Sequence, residues 1–243
     1  MQAGCRVYGD CMGQALLWGA VGATPLLVGA VLALLRRWPP RLLGIVLGFG
    51  AGALMASIAF ELWEEGLQQA GPVPLIVGVA AGALTYYIAD RIVEHRASRS
   101  KGAGGPLAVG ALLDGIPEQL VLGIGLASGE GVSVALVIAI VVSNLPESIG
   151  SAADLLDGGM KRSRVLMLWA GVAVMCAIAT IAGFLLADAV GPEFRAGASG
   201  FAAGALLVML VDSMIPDAQS KAKESTGLAT VLGFALAAGL SLA

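Results

Sequence analysis

The stretch GFGAGALMASIAFELWEEGL, residues 48–67, carries no charge over its first thirteen residues and consists there largely of small side chains. A related stretch, GFAAGALLVMLVDSMIPDAQ, occupies residues 200–219, and both begin with the pattern G-F-x-A-G-A-L. Long uncharged runs are typical of helices that cross a lipid bilayer, for which about 20 apolar residues are needed. The repetition indicates that the chain contains two related membrane-embedded halves.

The composition extends this interpretation to the whole chain. Of the 243 residues, 58% are hydrophobic and 13% are charged, and the mean hydropathy is +0.87. Soluble proteins have about 25% charged residues, so a soluble core could not absorb most of this sequence. The 35 glycines suit membrane helices that pack closely. We therefore expect an all-α integral membrane protein, a single transmembrane domain over residues 1–243, with the lipid bilayer and not nucleic acid as its partner.

Eight apolar segments are long enough to cross the bilayer, and short polar or Gly/Pro-rich connections separate them. None of these connections is long enough to hold a soluble domain. The N-terminal segment lacks a positive region followed by a cleavable apolar core, so we expect no signal peptide. In chain order, spans one to eight cover residues 13–35, 42–65, 73–93, 106–127, 131–156, 165–187, 195–217 and 226–243.

The basic residues predict the orientation of these spans. Of the 14 Lys and Arg residues, all but Arg6 and Arg195 lie at the ends of spans one, three, five and seven or in the connections that follow them. Connections rich in Lys and Arg stay in the cytoplasm. Both termini are therefore predicted to be extracytoplasmic, and the chain is predicted to be a multi-pass protein of the cell (inner) membrane.

In this orientation span two runs outward and span seven runs inward, so the two related stretches have opposite topology. Inverted repeats of this kind are common in transporters, whose binding sites lie near the bilayer midplane at the repeat interface. We predict that Gly48–Leu54 packs against Gly200–Leu206, with Gly52 and Gly204 at helix contacts. Chance similarity between two Gly/Ala-rich helices is the alternative.

Spans four and five each carry a Pro-Glu pair within an otherwise apolar run. Span four contains LLDGIPEQLVLG, residues 112–123, and span five contains VVSNLPESIGSA, residues 141–152. Both pairs lie close to the middle of their spans. Since a very short connection joins the two spans, they must be antiparallel neighbours, and their polar residues can meet at one depth.

The polar residues of the two motifs are suited to binding a cation. Asp114 and Glu118 are four residues apart, as are Ser143 and Glu147, so each pair shares one helix face. The proline before each glutamate removes one backbone N–H and frees the carbonyl group four residues earlier. Charged residues at membrane depth are costly and are usually functional, and hard oxygen ligands suit a divalent cation. The structural alternative is a kinked helix with incidental carboxylates.

The two motifs resemble those of the ZIP (Zrt/Irt-like) divalent metal transporters. Members of that family carry H-N-x-P-E-G in span four and H-E-x-P-E-G or Q-D-x-P-E-G in span five, to which DGIPEQ and SNLPES are similar. The resemblance covers nearly the whole chain. It implies eight spans in a three-plus-two-plus-three inverted repeat, outward termini, and transport of a divalent metal through a midplane site between spans four and five.

The resemblance implies a metal site near mid-depth formed by Met55, Asp114, Glu118, Ser143, Asn144 and Glu147. Glu118 and Glu147 match the two glutamates that bridge metals in the family. Asp114 takes the place of the span-four histidine ligand, and the Ser-Asn pair takes the places of two polar ligands in span five. For Met55 the alternative is an ordinary core position, because methionine usually fills gaps.

Departures from the family's pattern shift the expected ion. The one histidine, His95, lies on the cytoplasmic side after span three, so no imidazole is left in any span. Gly115 replaces an asparagine, and span six has no acidic residue before Asp188, which leaves a second metal position unsupported. We expect one oxygen-rich site for Mn²⁺, Fe²⁺ or Zn²⁺, carried as substrate, and no cofactor. Whether the chain forms a homodimer stays open.

Two other classes of function stay open. One is a metal-binding sensor that does not transport, since the histidines of the family are lost. The other is an intramembrane aspartyl protease, which would pair Asp114 with Asp212. Neither residue lies in the G-x-G-D pattern that such a protease needs, so we expect no enzymatic activity.

Further acidic residues lie near the ends of the spans. At the outer end of span two, Glu61, Glu64 and Glu65 could form a cation entrance or only a solvated helix end. On the cytoplasmic side the acidic residues that could line an exit are Asp154, Asp157, Asp212 and Asp217, of which the second and fourth are expected at the surface.

The three cysteines do not indicate a metal site. The chain contains no C-x-x-C pattern, which excludes a zinc site of the zinc-ribbon kind. Cys5 and Cys11 could form a disulfide bond on an oxidising side of the membrane or remain free thiols.

Overall fold

The computed structural model describes residues 8–97, 104–127, 133–189 and 191–242, and these residues form helices joined by short turns. In chain order the elements are α1 (Tyr8–Leu35), α2 (Pro40–Ser57), a first π-helical segment (Ile58–Trp63), α3 (Glu64–Ala70), α4 (Pro72–Ala97), α5 (Gly104–Ala127), α6 (Val134–Asp157), α7 (Arg162–Ala189), α8 (Pro192–Met209), a second π-helical segment (Leu210–Met214), α9 (Ile215–Ala222) and α10 (Ser225–Ser241). The prediction of an all-α integral membrane protein is confirmed. Cys5 and the side chain of Cys11 lie outside the described part.

Seven helical stretches in the described part of the chain are long and apolar enough to cross a membrane. They correspond to spans one to seven, and the longest of them cover 31 residues each, Pro40–Ala70 and Pro192–Ala222. α10, at the position of span eight, is apolar but has 17 residues. At 1.5 Å per residue it is about 25 Å long, against a hydrocarbon core of about 30 Å. The eighth predicted span is therefore a shorter helix than the other seven.

A π-helical segment interrupts span two and span seven at the same point of the repeat. Ile58–Trp63 begins ten residues after Gly48, and Leu210–Met214 begins ten residues after Gly200. A π turn takes in one more residue than an α turn, and such turns occur frequently at functional sites. The two repeats therefore share a backbone feature that their similar sequences did not predict.

The helices pack in two groups, and within each group the repeat relates one helix contact to another. In the first group α2 packs along α10, and α8 packs along α4. In the second group α1 packs on α6 and α7, and α5 packs on α7. The inverted repeat exchanges spans one to three with spans six to eight, and span four with span five. This exchange converts the contact of α2 with α10 into that of α8 with α4. It also converts the contact of α1 with α6 into that of α7 with α5. The packing therefore follows an inverted three-plus-two-plus-three arrangement.

The repeat glycines lie at helix contacts as predicted, but the helices that they contact differ from the prediction. A Cβ on Gly52 would collide with the backbone of Thr230 in α10, and a Cβ on Gly204 would collide with the backbone of Val79 in α4. Each glycine face therefore packs against the third span of the opposite repeat. Spans two and seven meet through other parts, α2 with α9 and α3 with α8. The prediction that the two glycine faces pack on each other was wrong, because a small-residue face specifies close approach and not the identity of the partner.

The two groups meet where α2 crosses α6. Gly50 permits a close approach there, since a Cβ on it would lie 3.1 Å from the Cα of Ser143. Buried leucines and isoleucines from both groups, including Leu54, Leu122 and Ile140, belong to one continuous hydrophobic cluster. The span-five motif is thereby held against the middle of span two.

Candidate metal site

Glu118 is the most deeply buried carboxylate of the two motifs, with 2% of its surface exposed. The Ser143 hydroxyl donates to Glu118 Oε1 at 3.1 Å, which links span four to span five. Asn144 is 1% exposed and interacts with the same carboxylate. Burying a bare charge is costly, so these two side chains provide the polar surroundings that a glutamate needs at this depth.

Two polar atoms beside this contact have no hydrogen-bond partner within the described part of the chain, Glu118 Oε2 and Asn144 Nδ2. Most buried polar atoms in proteins do have a partner. Turning the Asn144 amide by 180° exchanges its nitrogen with its oxygen, so this side chain can present an amide oxygen to a cation beside the Glu118 carboxylate. Carboxylate and amide oxygens are both ligands for hard divalent cations, so this position suits a cation.

Asp114 is held by a residue of span three. The Tyr86 hydroxyl donates to Asp114 Oδ1, and Tyr86 is 2% exposed whereas its neighbour Tyr87 is 46% exposed. The bond joins the two helix groups, since α4 belongs to the first group and α5 to the second. Tyr86 was not among the site residues predicted from the sequence. Its position within an apolar span could have identified it, because a buried tyrosine usually finds a hydrogen-bond partner.

Glu147 lies near the other two carboxylates, and the charges of Asp114 and Glu118 both act on it. Its side chain is partly exposed. Two charged groups of α9, Asp217 and Lys221, also act on Glu147. Glu147 therefore connects the motif residues electrostatically to the second half of span seven.

A methionine of span seven lies beside the motif of span five. A Cβ built on Gly50 would be 3.1 Å from the backbone of Ser143 and 3.2 Å from the Met214 methyl group. Met214 is 6% exposed and belongs to the second π-helical segment. Met55, the methionine selected from the sequence, packs against the main hydrophobic cluster. Met214 was not predicted from the sequence, because its closeness to span five depends on how span seven crosses span two.

Of the six predicted metal residues, five are brought into one region at the contact of spans four and five: Asp114, Glu118, Ser143, Asn144 and Glu147. Among the described residues, no three His, Cys, Asp or Glu side chains form a group ready to hold a metal ion. Tyr86 and Ser143 each engage one of the carboxylates instead. The convergence of three carboxylates on one ion stays a prediction.

At the predicted outer end, Glu61 joins three helices. Its Oε1 accepts hydrogen bonds from Ser133 at 2.5 Å and from Ser241 at 2.9 Å. Ser133 caps the N-terminus of α6, so the contact links the two helix groups. Glu64 and Glu65 each accept a hydrogen bond from a glutamine one turn later. Glu61 thus has a structural role, and an entrance formed by these glutamates stays a prediction.

At the predicted cytoplasmic end, a cavity of about 960 Å³ opens between spans one, two, five and seven. Its wall includes Gly150, which is three residues after Glu147, and Asp154. Its basic residues are Arg36, Arg37, Lys161, Arg162 and Lys221. Arg37 and Asp157 form a bidentate ion pair at the exposed rim, which raises the pKa of the guanidinium group. The cavity thus reaches Gly150, about one helical turn from Glu147, from the predicted cytoplasmic end.

The chain is similar to two curated proteins, although no family model matches it. Over 82% of its length it is 30% identical to a candidate zinc transporter of Arabidopsis thaliana. Over 93% of its length it is 28% identical to the zinc transporter ZIPB of Bordetella bronchiseptica. The matched region covers 33% of the Arabidopsis protein and 79% of the Bordetella protein. The chain therefore spans about a third of the first relative and most of the second.

Proposed function

We propose that this chain is a member of the ZIP family and carries divalent metal ions across a membrane. The observation that carries the proposal is the bond between Ser143 and Glu118, which joins the two Pro-Glu motifs inside the helical core. The inverted packing of the helices supports it. The names of both relatives, which are zinc transporters by description, support it as well.

The proposed site uses oxygen atoms from spans four and five. Glu118 Oε2 and Asn144 Nδ2 have no hydrogen-bond partner and belong to interacting side chains, so these two residues are proposed as the first ligands that an entering ion meets. Glu147 completes the site from the same helix as Asn144. Asp114 joins it when the ion displaces the Tyr86 hydroxyl or shares the carboxylate with it.

Transport requires that the site open alternately to the two sides of the membrane. The motif residues belong to the second helix group, whereas Tyr86, Gly50 and Met214, which contact or lie beside them, belong to the first. A displacement of one helix group against the other would therefore change which residues of the first group lie beside the motif residues. In the proposed cycle, the cavity below Gly150 is the route to the cytoplasm.

The proposed substrates are Mn²⁺, Fe²⁺ and Zn²⁺. An oxygen-rich site without imidazole favours the harder ions. The Met214 side chain, whose methyl group lies near Ser143, carries a softer sulfur donor, and the two relatives are named for zinc, so Zn²⁺ belongs in the same set. The cell (inner) membrane is the proposed location. We propose no enzymatic activity, because both relatives are named as transporters and Asp114 is engaged by Tyr86.

The test is metal uptake by the purified protein in proteoliposomes that contain a metal-sensitive fluorophore. Mn²⁺, Fe²⁺ and Zn²⁺ are offered separately to the wild type and to a double variant, Glu118→Gln with Glu147→Gln. Glu224→Gln is the matched control, since it removes one carboxylate at an exposed position outside the site. We expect uptake of at least one ion by the wild type and the control.

The double variant should lose uptake by about tenfold or more, because two charged ligands are replaced by neutral ones. Normal uptake by the double variant would show that the Pro-Glu motifs are not the metal site. Metal binding by the wild type without any uptake would instead support the metal-sensor alternative. If the wild type neither binds nor takes up any of the three ions, the proposed function is refuted.

A further inference from the structure

Lys221 occupies a position between the proposed site and the cytoplasmic cavity. It lies on α9, and its Nζ donates to Asp217 Oδ2 at 2.6 Å, one turn earlier on the same helix. The Lys221 side chain is 24% exposed and the Asp217 side chain is 41% exposed. The Lys221 side chain is therefore largely covered by protein while it still lines the cavity.

The tip of Lys221 reaches across to span five. A Cβ on Gly150 would lie 3.2 Å from Lys221 Nζ. Gly150 follows Glu147 by three residues, which corresponds to about 4.5 Å along a helix axis. Because glycine leaves this place open, the ammonium group can lie directly against α6, on the cytoplasmic side of Glu147. The charge of Lys221 accordingly acts on the Glu147 carboxylate.

The backbone that carries Lys221 is fixed to the first helix group. A Cβ on Gly44 in α2 would lie 2.7 Å from both the Lys221 Cβ and the Ala222 backbone nitrogen. The Thr226 hydroxyl adds a bond to the carbonyl oxygen of Ala218. Lys221 is therefore anchored in one helix group, and its charged end contacts the other group.

From this geometry we infer that Lys221 is a tethered cation that lowers the affinity of the site for a metal ion on the cytoplasmic side and so promotes release. The inference rests on the proposed function. A positive charge near Glu147 repels a divalent ion bound there, and in a partly buried place the repulsion is weakly screened. Asp217 holds the ammonium group in position and offsets part of its charge. The other charged residues that line the cavity are Arg36, Arg37, Asp154, Asp157, Lys161 and Arg162.

The test compares three variants in lipid nanodiscs by calorimetric titration with Mn²⁺ and with Zn²⁺. Lys221→Met keeps most of the side-chain length but removes the charge, and Lys221→Arg keeps the charge. Lys161→Met removes one positive charge from the same cavity at a residue not seen to act on Glu147. We expect Lys221→Met to bind metal about tenfold more tightly than the wild type. The other two variants should stay within about twofold of it.

The same variants in proteoliposomes provide a second readout. Lys221→Met should reach half-maximal uptake at a lower metal concentration and should have a lower maximal rate, because release becomes slower. A wild-type dissociation constant in Lys221→Met would overturn the inference. So would an equal change in Lys221→Met and Lys221→Arg, which would indicate a packing role. In both cases the wild type still binds and transports metal, whereas failure of the proposed function would abolish wild-type binding.

Discussion

Ser143 donates its hydroxyl proton to Glu118 at 3.1 Å, across the contact between spans four and five. The same hydroxyl lies 3.0 Å from the carbonyl oxygen of Ile140 in its own helix. A serine has one proton to donate, and a backbone carbonyl one turn earlier is its usual acceptor within a helix. Ser143 can therefore release Glu118 to a metal ion and still keep a hydrogen-bond partner.

This relationship predicts unequal effects of two substitutions. Ser143→Ala should weaken metal binding by about twofold to fivefold, which is the contribution of one ordinary hydrogen bond. Glu118→Gln should weaken it by about a hundredfold or more, because a buried charged ligand is lost. Titration of both purified variants with Mn²⁺ and Zn²⁺ measures the difference. Equal effects would mean that Glu118 acts only as a hydrogen-bond acceptor.

Asp114→His should change which ion is preferred. An imidazole in place of a carboxylate favours Zn²⁺ over Mn²⁺, so the ratio of the two affinities should move toward zinc by about tenfold. Asp114→Asn is the control, because it removes the same charge and adds no imidazole. It should weaken the binding of both ions without changing their ratio. An unchanged ratio in Asp114→His would place Asp114 outside the ligand set.

Tyr86→Phe should weaken metal binding by about tenfold, since groups that hydrogen-bond a ligating carboxylate fix its orientation. The matched control is Tyr87→Phe, which removes a hydroxyl from the adjacent residue, one that is 46% exposed. The control should bind metal like the wild type. If Tyr86→Phe binds metal as tightly as the control, the hydrogen bond to Asp114 stabilises the packing of the two helix groups and does not contribute to the metal site.

Gly52→Ala and Gly204→Ala should destabilise the protein to a similar extent, because each new methyl group would meet the backbone of the third span of the opposite repeat. Overpacking of this kind costs about 1–3 kcal/mol. Gly171→Ala is the control, since nothing lies within 4 Å of the position of its Cβ. Thermal unfolding in detergent micelles compares the three variants. A stable Gly52→Ala variant would contradict the close approach of α2 and α10.

The predicted orientation is tested by labelling single cysteines in a variant that lacks the three native ones. Lys161→Cys lies in the connection before α7, and Gln68→Cys lies in α3 near the opposite end of the helices; both positions are exposed. An impermeant thiol reagent added outside intact cells should label position 68 and leave position 161 unmodified. Labelling of both positions from outside would refute the orientation derived from the basic residues.

The membrane-spanning character and the helix positions could be predicted from the sequence because both depend on local properties. Apolar length and flanking polar residues decide where a helix crosses a bilayer, so the predicted span 165–187 differs by only a few residues from α7, Arg162–Ala189. The pairing of the Pro-Glu motifs could be predicted too. Two antiparallel neighbours joined by a short connection must bring their midpoints to one depth, as the bond between Ser143 and Glu118 now shows.

The partner of each helix face was decided only by the tertiary structure. Periodicity identifies which residues share a face, and glycines identify a face that permits close approach, but neither identifies the helix on the other side. For this reason Gly52 was predicted at a contact and was assigned the wrong partner. Tyr86, Met214 and Lys221 were missed for the same reason. They lie far along the chain from the residues that they reach, and only the crossing of spans three, four, five and seven brings them there.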